Sequence, residues 1–296
     1  RRNEENADRF ALAAMEATRL VKETEPQLTL RFYRGMDPAL MLKALDVIGE
    51  GRIYPMLYND DVNVGAVKSA FGATTEEAEQ YLPYGCGEYS LDHISIGPPN
   101  CHINLLKALE ITLHNGRDAL TGEVIGLETG EFSSFKTFDG LFAAYGRQVE
   151  FFTEAVARRH AYEYKIERES GSFLYVSMLY DNCIERGKSA VNGGVKYLGG
   201  IVESFAIVNV ADSFTAIKEL IYDKKILTHG QLLAILHADF EGFGRERSMI
   251  LDLPKFGNGD DAADAMVQKV SGHICRVCSE QAEKVGLDYY LAVNIN

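Results

Sequence analysis

The sequence lacks any apolar run long enough to cross a membrane. Its longest apolar stretches, such as LLAIL at 232–236, fall far short of the roughly 20 residues that a spanning helix needs. The first residues, RRNEENADRF, also lack the apolar region of a signal peptide. We therefore expect a soluble, cytoplasmic protein with no membrane partner.

Positive charge and cysteine are also scarce. The net charge is −13, the isoelectric point is near 5.1 and no basic stripe is present, which argues against nucleic acid as a partner. Five scattered cysteines are too few for a secreted disulfide framework, and their odd number leaves at least one free thiol. A reducing compartment fits this composition.

The length of 296 residues and the hydrophobic content of 46% are sufficient for a substantial core. We find no internal repeat, low-complexity tract or Pro/Ser-rich linker, so residues 1–296 are expected to form a single catalytic region. The chain begins with Arg1 and stops at LAVNIN within a predicted strand, so we expect it to be a piece of a longer protein.

Strand-like and helix-like segments alternate along the chain. Apolar β-rich runs predict strands at 28–33, 54–59, 199–210 and 287–295, and YLPYGCGE reads as a strand that runs into a loop. Helical periodicity predicts helices at 103–116 and 139–169, with another after Asp260 or Asp261 as its N-cap. This alternation predicts an α/β fold with a parallel sheet covered on both faces, in which ligands bind at the carboxyl ends of the strands.

Cys86 stands between two glycines in YLPYGCGEYSL, at 81–91. Most free cysteines are small buried hydrophobes, but a core cysteine needs no flexible neighbours on both sides. Glu88, two residues on, shares the same side of an extended backbone. A nearby carboxylate raises the pKa of a thiol and so opposes a thiolate nucleophile. The pair is better suited to a thiyl radical that abstracts hydrogen, with the carboxylate as base.

Other motifs are weaker. His93 could form a Cys–His nucleophile pair with Cys86, or it could simply cap or line the loop. Cys275-x-x-Cys278, near His273, falls inside a predicted helix and has no second pair of ligands, so we expect an ordinary helix and no metal. The glycines at 185–200 match neither phosphate-loop pattern.

Several segments, taken in order, resemble the glycyl radical enzymes of the pyruvate formate-lyase type. They are YPMLYNDD, YGCGE, ALEITLHNGRDALTG, DNCIERGKSAVNGG, NVADSFTAIKELIYD, LPKFGNGDD and LAVNIN, which together span almost the whole chain. The resemblance implies that the chain is part of a ten-stranded α/β barrel, with a finger loop at Gly85–Glu88.

The resemblance also implies the chemistry and the partners. Cys86 would abstract hydrogen from a small organic substrate and return it to the product radical, and Glu88 would act as general base or proton relay. No cofactor would stay bound. A glycyl radical, for which this chain has no Arg-Val-x-Gly-Tyr-like motif, would be installed by a separate activating enzyme that uses S-adenosylmethionine and an iron–sulfur cluster. The full-length enzyme would be a homodimer.

At two places the sequence differs from the family pattern in a way that affects which substrate is expected. Pro98 and Pro99 stand where relatives that dehydrate diols or cleave choline-like substrates carry a His–Asp pair, although His93 or Asp92 could substitute if the loop is rearranged. Gly87 replaces a common aliphatic residue and leaves room for a bulkier substrate. Glu203, inside an apolar strand, is a candidate substrate-binding residue because a buried carboxylate is costly unless it is paired or functional; near the beginning of the strand it could equally reach solvent.

We therefore expect a glycyl radical lyase that cleaves a C–C or C–heteroatom bond, with a decarboxylase or a non-diol lyase favoured. A glycerol- or diol-type dehydratase of the same family is the alternative. A Cys-dependent hydrolase or transferase, or a non-catalytic scaffold, would be alternatives of another class.

Overall fold

The structure is a computed structural model that describes residues 4–85, 87–97 and 99–295. The helices are α1 Glu5–Val21, α2 Pro38–Gly49, α3 Asp60–Phe71, α4 Thr75–Ala78, α5 Leu105–Leu113, α6 Phe138–Ser170, α7 Leu174–Ser177, α8 Cys183–Arg186, α9 Ile207–Ile217, α10 His229–His237, α11 Gly244–Leu251 and α12 Asp261–Val285. The strands are β1 Thr29–Phe32, β2 Met56–Asn59, β3 Tyr81–Tyr84, β4 Glu88–Leu91, β5 Asn100–Asn104, β6 Gly199–Phe205 and β7 Tyr289–Ile295.

The chain divides into two compact units, which we describe separately. The first unit contains residues 1–97 and 174–197, and the second contains residues 98–173 and 198–296. Within the described residues the strands form separate small sheets and no closed barrel. The predicted α/β class is therefore confirmed, whereas the barrel is not seen in this length of chain.

The first unit opens with a parallel strand–helix–strand element. Strands β1 and β2 pair in parallel with Thr29 opposite Met56, and α2 connects them. The side chain of Asp37 accepts a hydrogen bond from the Ala39 amide, so Asp37 is the N-cap of α2, and a proline follows in the first turn, where it is favoured. A core cluster of Met15, Leu30, Leu40, Ala44 and Val47 packs α1 and α2 on this element.

An ion pair fixes the end of this element to the next strand. Arg31 of β1 makes two hydrogen bonds to the buried carboxylate of Asp60, at 2.8 and 2.9 Å, and a third to the carbonyl oxygen of Tyr81. The Tyr81 hydroxyl donates a 2.6 Å hydrogen bond to the same carboxylate. The charge of Asp60 is thus compensated on several sides, which is what burial of a carboxylate requires.

Strands β3 and β4 form an antiparallel hairpin, with Tyr81 opposite Leu91 and Tyr84 opposite Glu88. The strand predicted in YLPYGCGE is present as Tyr81–Tyr84 and runs into a turn, and its partner is the antiparallel strand that directly follows. The physical reason is the pair of glycines, because Gly85 has φ +55° and Gly87 has φ +132°, and these values let the chain reverse within three residues.

The second unit is built on a parallel sheet in the order β5–β6–β7, with helices α6, α9 and α12 packed nearby. The predicted long helix at 139–169 is confirmed as α6, and Asp260 caps α12 by accepting hydrogen bonds from the amides of Ala262 and Ala263. Strand β6 is buried along almost its whole length, as its apolar composition predicts.

Two predicted boundaries in the second unit are wrong. The strand predicted at 199–210 ends at Phe205, because Ala206 adopts a left-handed conformation with φ +65° and α9 begins directly after it. The helix predicted at 103–116 begins at Leu105, where the Asn104 side chain accepts the N-cap bond from the Lys107 amide. The residues before it form β5, which the sequence analysis missed.

Candidate active-site hairpin

The turn of the β3–β4 hairpin carries the proposed catalytic cysteine. Tyr84 and Glu88 are the last paired residues, so Gly85, Cys86 and Gly87 form the connection between the strands. The Gly87 amide donates a 3.2 Å hydrogen bond to the Tyr84 carbonyl oxygen across this turn. Cys86 itself lies outside the described residues.

Glu88 is buried at the first position of β4, with 5% of its surface exposed. Its carboxylate folds back over Gly85. A Cβ atom placed on Gly85 would lie 2.5 Å from Glu88 Oε2 and 2.8 Å from Oε1, closer than real side-chain contacts allow. Gly85 therefore provides both the backbone conformation of the turn and the space for the carboxylate.

Tyr84, opposite Glu88, was missed by the sequence analysis. Its hydroxyl oxygen is buried and has no hydrogen-bond partner among the residues that the structure describes. Burial, together with the negative charge of Glu88 and the nearby Tyr180, raises the pKa of Tyr84 well above its ordinary value. The hydroxyl is thus a neutral donor next to the turn that carries Cys86.

His93 lies in the turn that follows β4, not within a strand. Its backbone has φ +60°, and its side chain is 61% exposed with Nε2 at 3.5 Å from Asp92 Oδ1. The His93 carbonyl oxygen accepts a hydrogen bond from the Asp181 amide, and its ring Nδ1 lies 3.3 Å from the Leu179 carbonyl oxygen. These contacts tie the turn to the segment before α8, as a loop-capping residue would.

Glu203 belongs to the second unit, where it occupies the middle of β6. Its side chain is 6% exposed, and its two oxygens lie 2.6 Å from Asn100 Nδ2 and 2.8 Å from His102 Nε2. His102 pairs directly with Glu203 across the sheet and remains 62% exposed. Of the two alternatives that the sequence leaves open for Glu203, the structure has the buried one, with the carboxylate paired.

The partners of Glu203, Asn100 and His102, were not singled out from the sequence. The signal that would have found them is the alternation in NCHIN, where exposed and buried residues follow one another along β5. His102 is the residue of β5 that pairs with Glu203 of β6, so the exposed residues Asn100 and His102 lie on the same face of the sheet as the Glu203 side chain. This face combines a buried carboxylate with an exposed imidazole.

The cysteines of α12 show no metal-binding arrangement. Cys275 and Cys278 lie within the helix, and burial raises the pKa of both thiols. Nε2 of His273 lies 3.3 Å from the Gly146 carbonyl oxygen. Within the described parts of the chain, no three histidine, cysteine or acidic side chains come together as ligands of one ion.

The second unit also contains a large apolar cavity of about 990 Å³, lined by residues of α5, α9 and α10. His114 and His237 stand at its edge with their Nε2 atoms 2.9 Å apart. None of the residues predicted from the sequence as catalytic or substrate-binding lines this cavity. In the described residues, no helix is long and apolar enough to cross a membrane.

Comparison with known proteins identifies the family. The family model described as pyruvate formate lyase-like matches residues 2–293, which include both compact units. The chain therefore belongs to this family, which is the family of the glycyl radical enzymes that its motifs resemble.

The relatives are enzymes of this class. The chain is 29% identical over 251 residues to trans-4-hydroxy-L-proline dehydratase of Clostridioides difficile, covering 84% of this chain and 32% of the relative. It is 30% identical over 249 residues to isethionate sulfite-lyase of Desulfovibrio desulfuricans, covering 81% and 29%. It thus spans about a third of the length of the curated relatives that it matches.

Comparison with a solved structure shows that the fold also matches this family. The glycerol-bound form of the B12-independent glycerol dehydratase from Clostridium butyricum superposes with a TM-score of 0.86 at 28% identity, covering 96% of this chain and 35% of that one. The fold of this chain is thus the fold of part of a glycyl radical enzyme.

Proposed function

We propose that this chain is the catalytic part of a glycyl radical lyase, in which Cys86 abstracts a hydrogen atom and Glu88 moves a proton. The observation that carries the proposal is the β3–β4 hairpin: its turn is Gly85–Cys86–Gly87, and the carboxylate of Glu88 is buried against Gly85. Family membership supports the same assignment for the Gly-Cys-x-Glu motif.

The proposed reaction divides between the two side chains. The Cys86 sulfur radical takes one hydrogen atom from a substrate carbon, so that an S–H bond forms and a C–H bond breaks. The substrate radical is more acidic than the substrate, and the Glu88 carboxylate accepts its proton. The neighbouring bond then breaks: a heteroatom leaving group departs with the electron pair of that bond, or CO2 departs and the pair stays on the substrate carbon. The Cys86 thiol returns its hydrogen atom to the product radical, which restores the sulfur radical.

The unpaired electron would come from a glycyl radical outside these 296 residues, because the chain contains no match to the glycyl motif. An activating enzyme that uses S-adenosylmethionine and an iron–sulfur cluster is the proposed partner for its formation, and the complete enzyme is proposed to be a cytoplasmic homodimer working without oxygen. A buried site supports such chemistry because exclusion of water prevents side reactions of reactive intermediates.

We propose that the substrate is a small organic molecule whose C–C or C–heteroatom bond is cleaved, and we favour decarboxylation or a non-diol cleavage. Prolines at positions 98 and 99 support this preference, since neither can transfer a proton to a leaving group. The isethionate sulfite-lyases show that relatives include non-diol enzymes. Glu203 and His93 are proposed as substrate-binding residues.

A dehydratase is the second candidate, and specific relatives favour it. They are named for the dehydration of hydroxyproline and of sulfopropanediol, and one solved relative holds glycerol. Anaerobic screening of the activated enzyme against arylacetates, diols, sulfonates and amino alcohols separates the two candidates, because each class gives a different product.

The test of the radical assignment is Cys86→Ala in the complete enzyme, activated anaerobically. Turnover is expected to disappear while the glycyl radical remains visible by electron spin resonance. Ser90→Ala in β4 of the same hairpin is a control that should retain turnover. Turnover by Cys86→Ala would overturn the proposal. Oxygen-stable activity that iodoacetamide abolishes at one equivalent would instead indicate a Cys-dependent hydrolase or transferase.

A further inference from the structure

The Tyr84 hydroxyl is a buried polar group without a hydrogen-bond partner among the described residues. Such groups are rare in folded proteins, because burial removes their hydrogen bonds to water and no hydrogen bond within the protein replaces them. Tyr84 occupies the last position of β3, immediately before the Gly85–Cys86–Gly87 turn. None of the described residues satisfies this donor, so it is available to a partner such as a substrate oxygen.

The position of Tyr84 is tied to that of Glu88. The two residues are directly opposite in the antiparallel register, and paired residues project to the same face of a hairpin. Burial and the charge of Glu88 raise the pKa of Tyr84, so that its hydroxyl stays protonated at neutral pH. The face therefore offers a neutral donor beside a carboxylate.

Space beside the hydroxyl is preserved by a glycine. A Cβ atom on Gly97 would lie 3.4 Å from the Tyr84 hydroxyl oxygen and 3.5 Å from its Cζ atom. Because Gly97 has no side chain, the hydroxyl borders a gap of about the size of a methyl group.

We propose that Tyr84 is a further catalytic residue, whose hydroxyl donates a hydrogen bond to an oxygen atom of the substrate next to the carbon that loses hydrogen to Cys86. The inference rests on the proposed function and deepens it, because it defines the substrate as an oxygen-bearing molecule: an alcohol, a carbonyl compound or a carboxylate. The hydrogen bond strengthens as negative charge builds on that oxygen while Glu88 removes a proton.

The test is Tyr84→Phe in the complete, activated enzyme, with the substrate found in the anaerobic screen. We expect kcat/KM to fall about 100- to 1,000-fold, as when a donor to a developing oxyanion is removed. The thermal midpoint should stay the same or rise, because an unsatisfied buried hydroxyl has been removed. The glycyl radical signal should not change.

Tyr89→Phe is the matched control, since Tyr89 is on the same hairpin, pairs with Pro83 and packs its ring against Tyr58 and Tyr81. It should retain kcat/KM. A second measurement uses Cys86→Ala, which cannot turn over: adding Tyr84→Phe should weaken substrate binding several-fold.

Two results would overturn the inference. One is wild-type kcat/KM in Tyr84→Phe, and the other is a loss of activity that is accompanied by a lower thermal midpoint, since the hydroxyl would then serve the fold. Both are distinguishable from failure of the proposed function, which would appear as turnover by Cys86→Ala.

Discussion

Gly85 lies directly against the carboxylate of Glu88, so closely that a methyl group on Gly85 would come within 2.5 Å of Glu88 Oε2. The hairpin turn and the buried carboxylate are therefore one structural feature. The same glycine that lets the chain reverse, with φ +55°, leaves the volume that the carboxylate fills. The position of the proposed base depends on the absence of a side chain three residues earlier.

Gly85→Ala is accordingly expected to displace Glu88 and to strain the turn. An alanine at positive φ costs about 1–2 kcal/mol, to which the contact with the carboxylate adds. We expect activity to fall at least about 10-fold, as for the loss of a positioned general base, and the free energy of unfolding to decrease in urea titrations. Gly65→Ala on α3 is the control, because nothing lies within 4 Å of its Cβ position. Full activity in Gly85→Ala would refute the proposed role of this contact.

Glu203→Gln tests whether the buried carboxylate binds substrate. The amide keeps the shape and an acceptor for Asn100 Nδ2 but removes the negative charge beside His102. If Glu203 contacts substrate, KM should rise while kcat changes less, because uniform binding is lost. Glu167→Gln, on α6 of the same unit, should leave both constants unchanged. Unchanged kinetics in Glu203→Gln would leave this carboxylate with a structural role only.

Asp60→Asn tests the ion pair that joins β1 to the start of α3, to which the Tyr81 hydroxyl of the hairpin also bonds. Removal of one partner of a buried pair leaves the other charge uncompensated, and Asp60 is 4% exposed where it meets Arg31. We expect the first unit to lose about 3–5 kcal/mol of unfolding free energy. Tyr81→Phe, which removes a single hydrogen bond to the same carboxylate, should cost about 1 kcal/mol. Equal losses in the two variants would contradict the ion-pair argument.

His160 should make the stability of the second unit depend on pH. Burial lowers its pKa below the ordinary value of 6.5, and its Nδ1 lies 2.9 Å from the Tyr290 hydroxyl. Because the unfolded chain binds this proton more tightly, the contribution to stability is complete above about pH 6.5 and is lost as the pH falls. Urea unfolding from pH 8 to pH 5 should show a smaller decline for His160→Gln than for the wild type. An identical decline would exclude this histidine as a cause.

Several elements could be predicted because their signals are local. The apolar spacing and caps of α6 and α12, and the Asp37-Pro38 start of α2, depend on neighbours in the sequence. The Gly-Cys-Gly-Glu motif likewise marks a turn with a carboxylate beside it. The apolar residues around Glu203 marked it as a carboxylate in a strand, but its burial was decided by the packing of β6.

Other features could not be predicted because they depend on residues distant in the sequence or on a single backbone angle. The end of β6 is set by the left-handed Ala206, which no composition signal marks. His102 and Asn100 acquire their meaning from Glu203, about a hundred residues later, when β5 and β6 pair. The hydroxyl of Tyr84 becomes significant only when burial leaves it without a partner in the described chain.

The sequence by itself determined the α/β class, the motifs that lead to the glycyl radical enzyme family, and the residue types available for its chemistry. The tertiary structure decided how those residues are held: an antiparallel hairpin whose turn carries Cys86, a glycine against the Glu88 carboxylate, and a buried tyrosine hydroxyl on the opposite strand. The reason is that motifs are local strings, whereas burial, register and close approach exist only after distant segments have paired and packed.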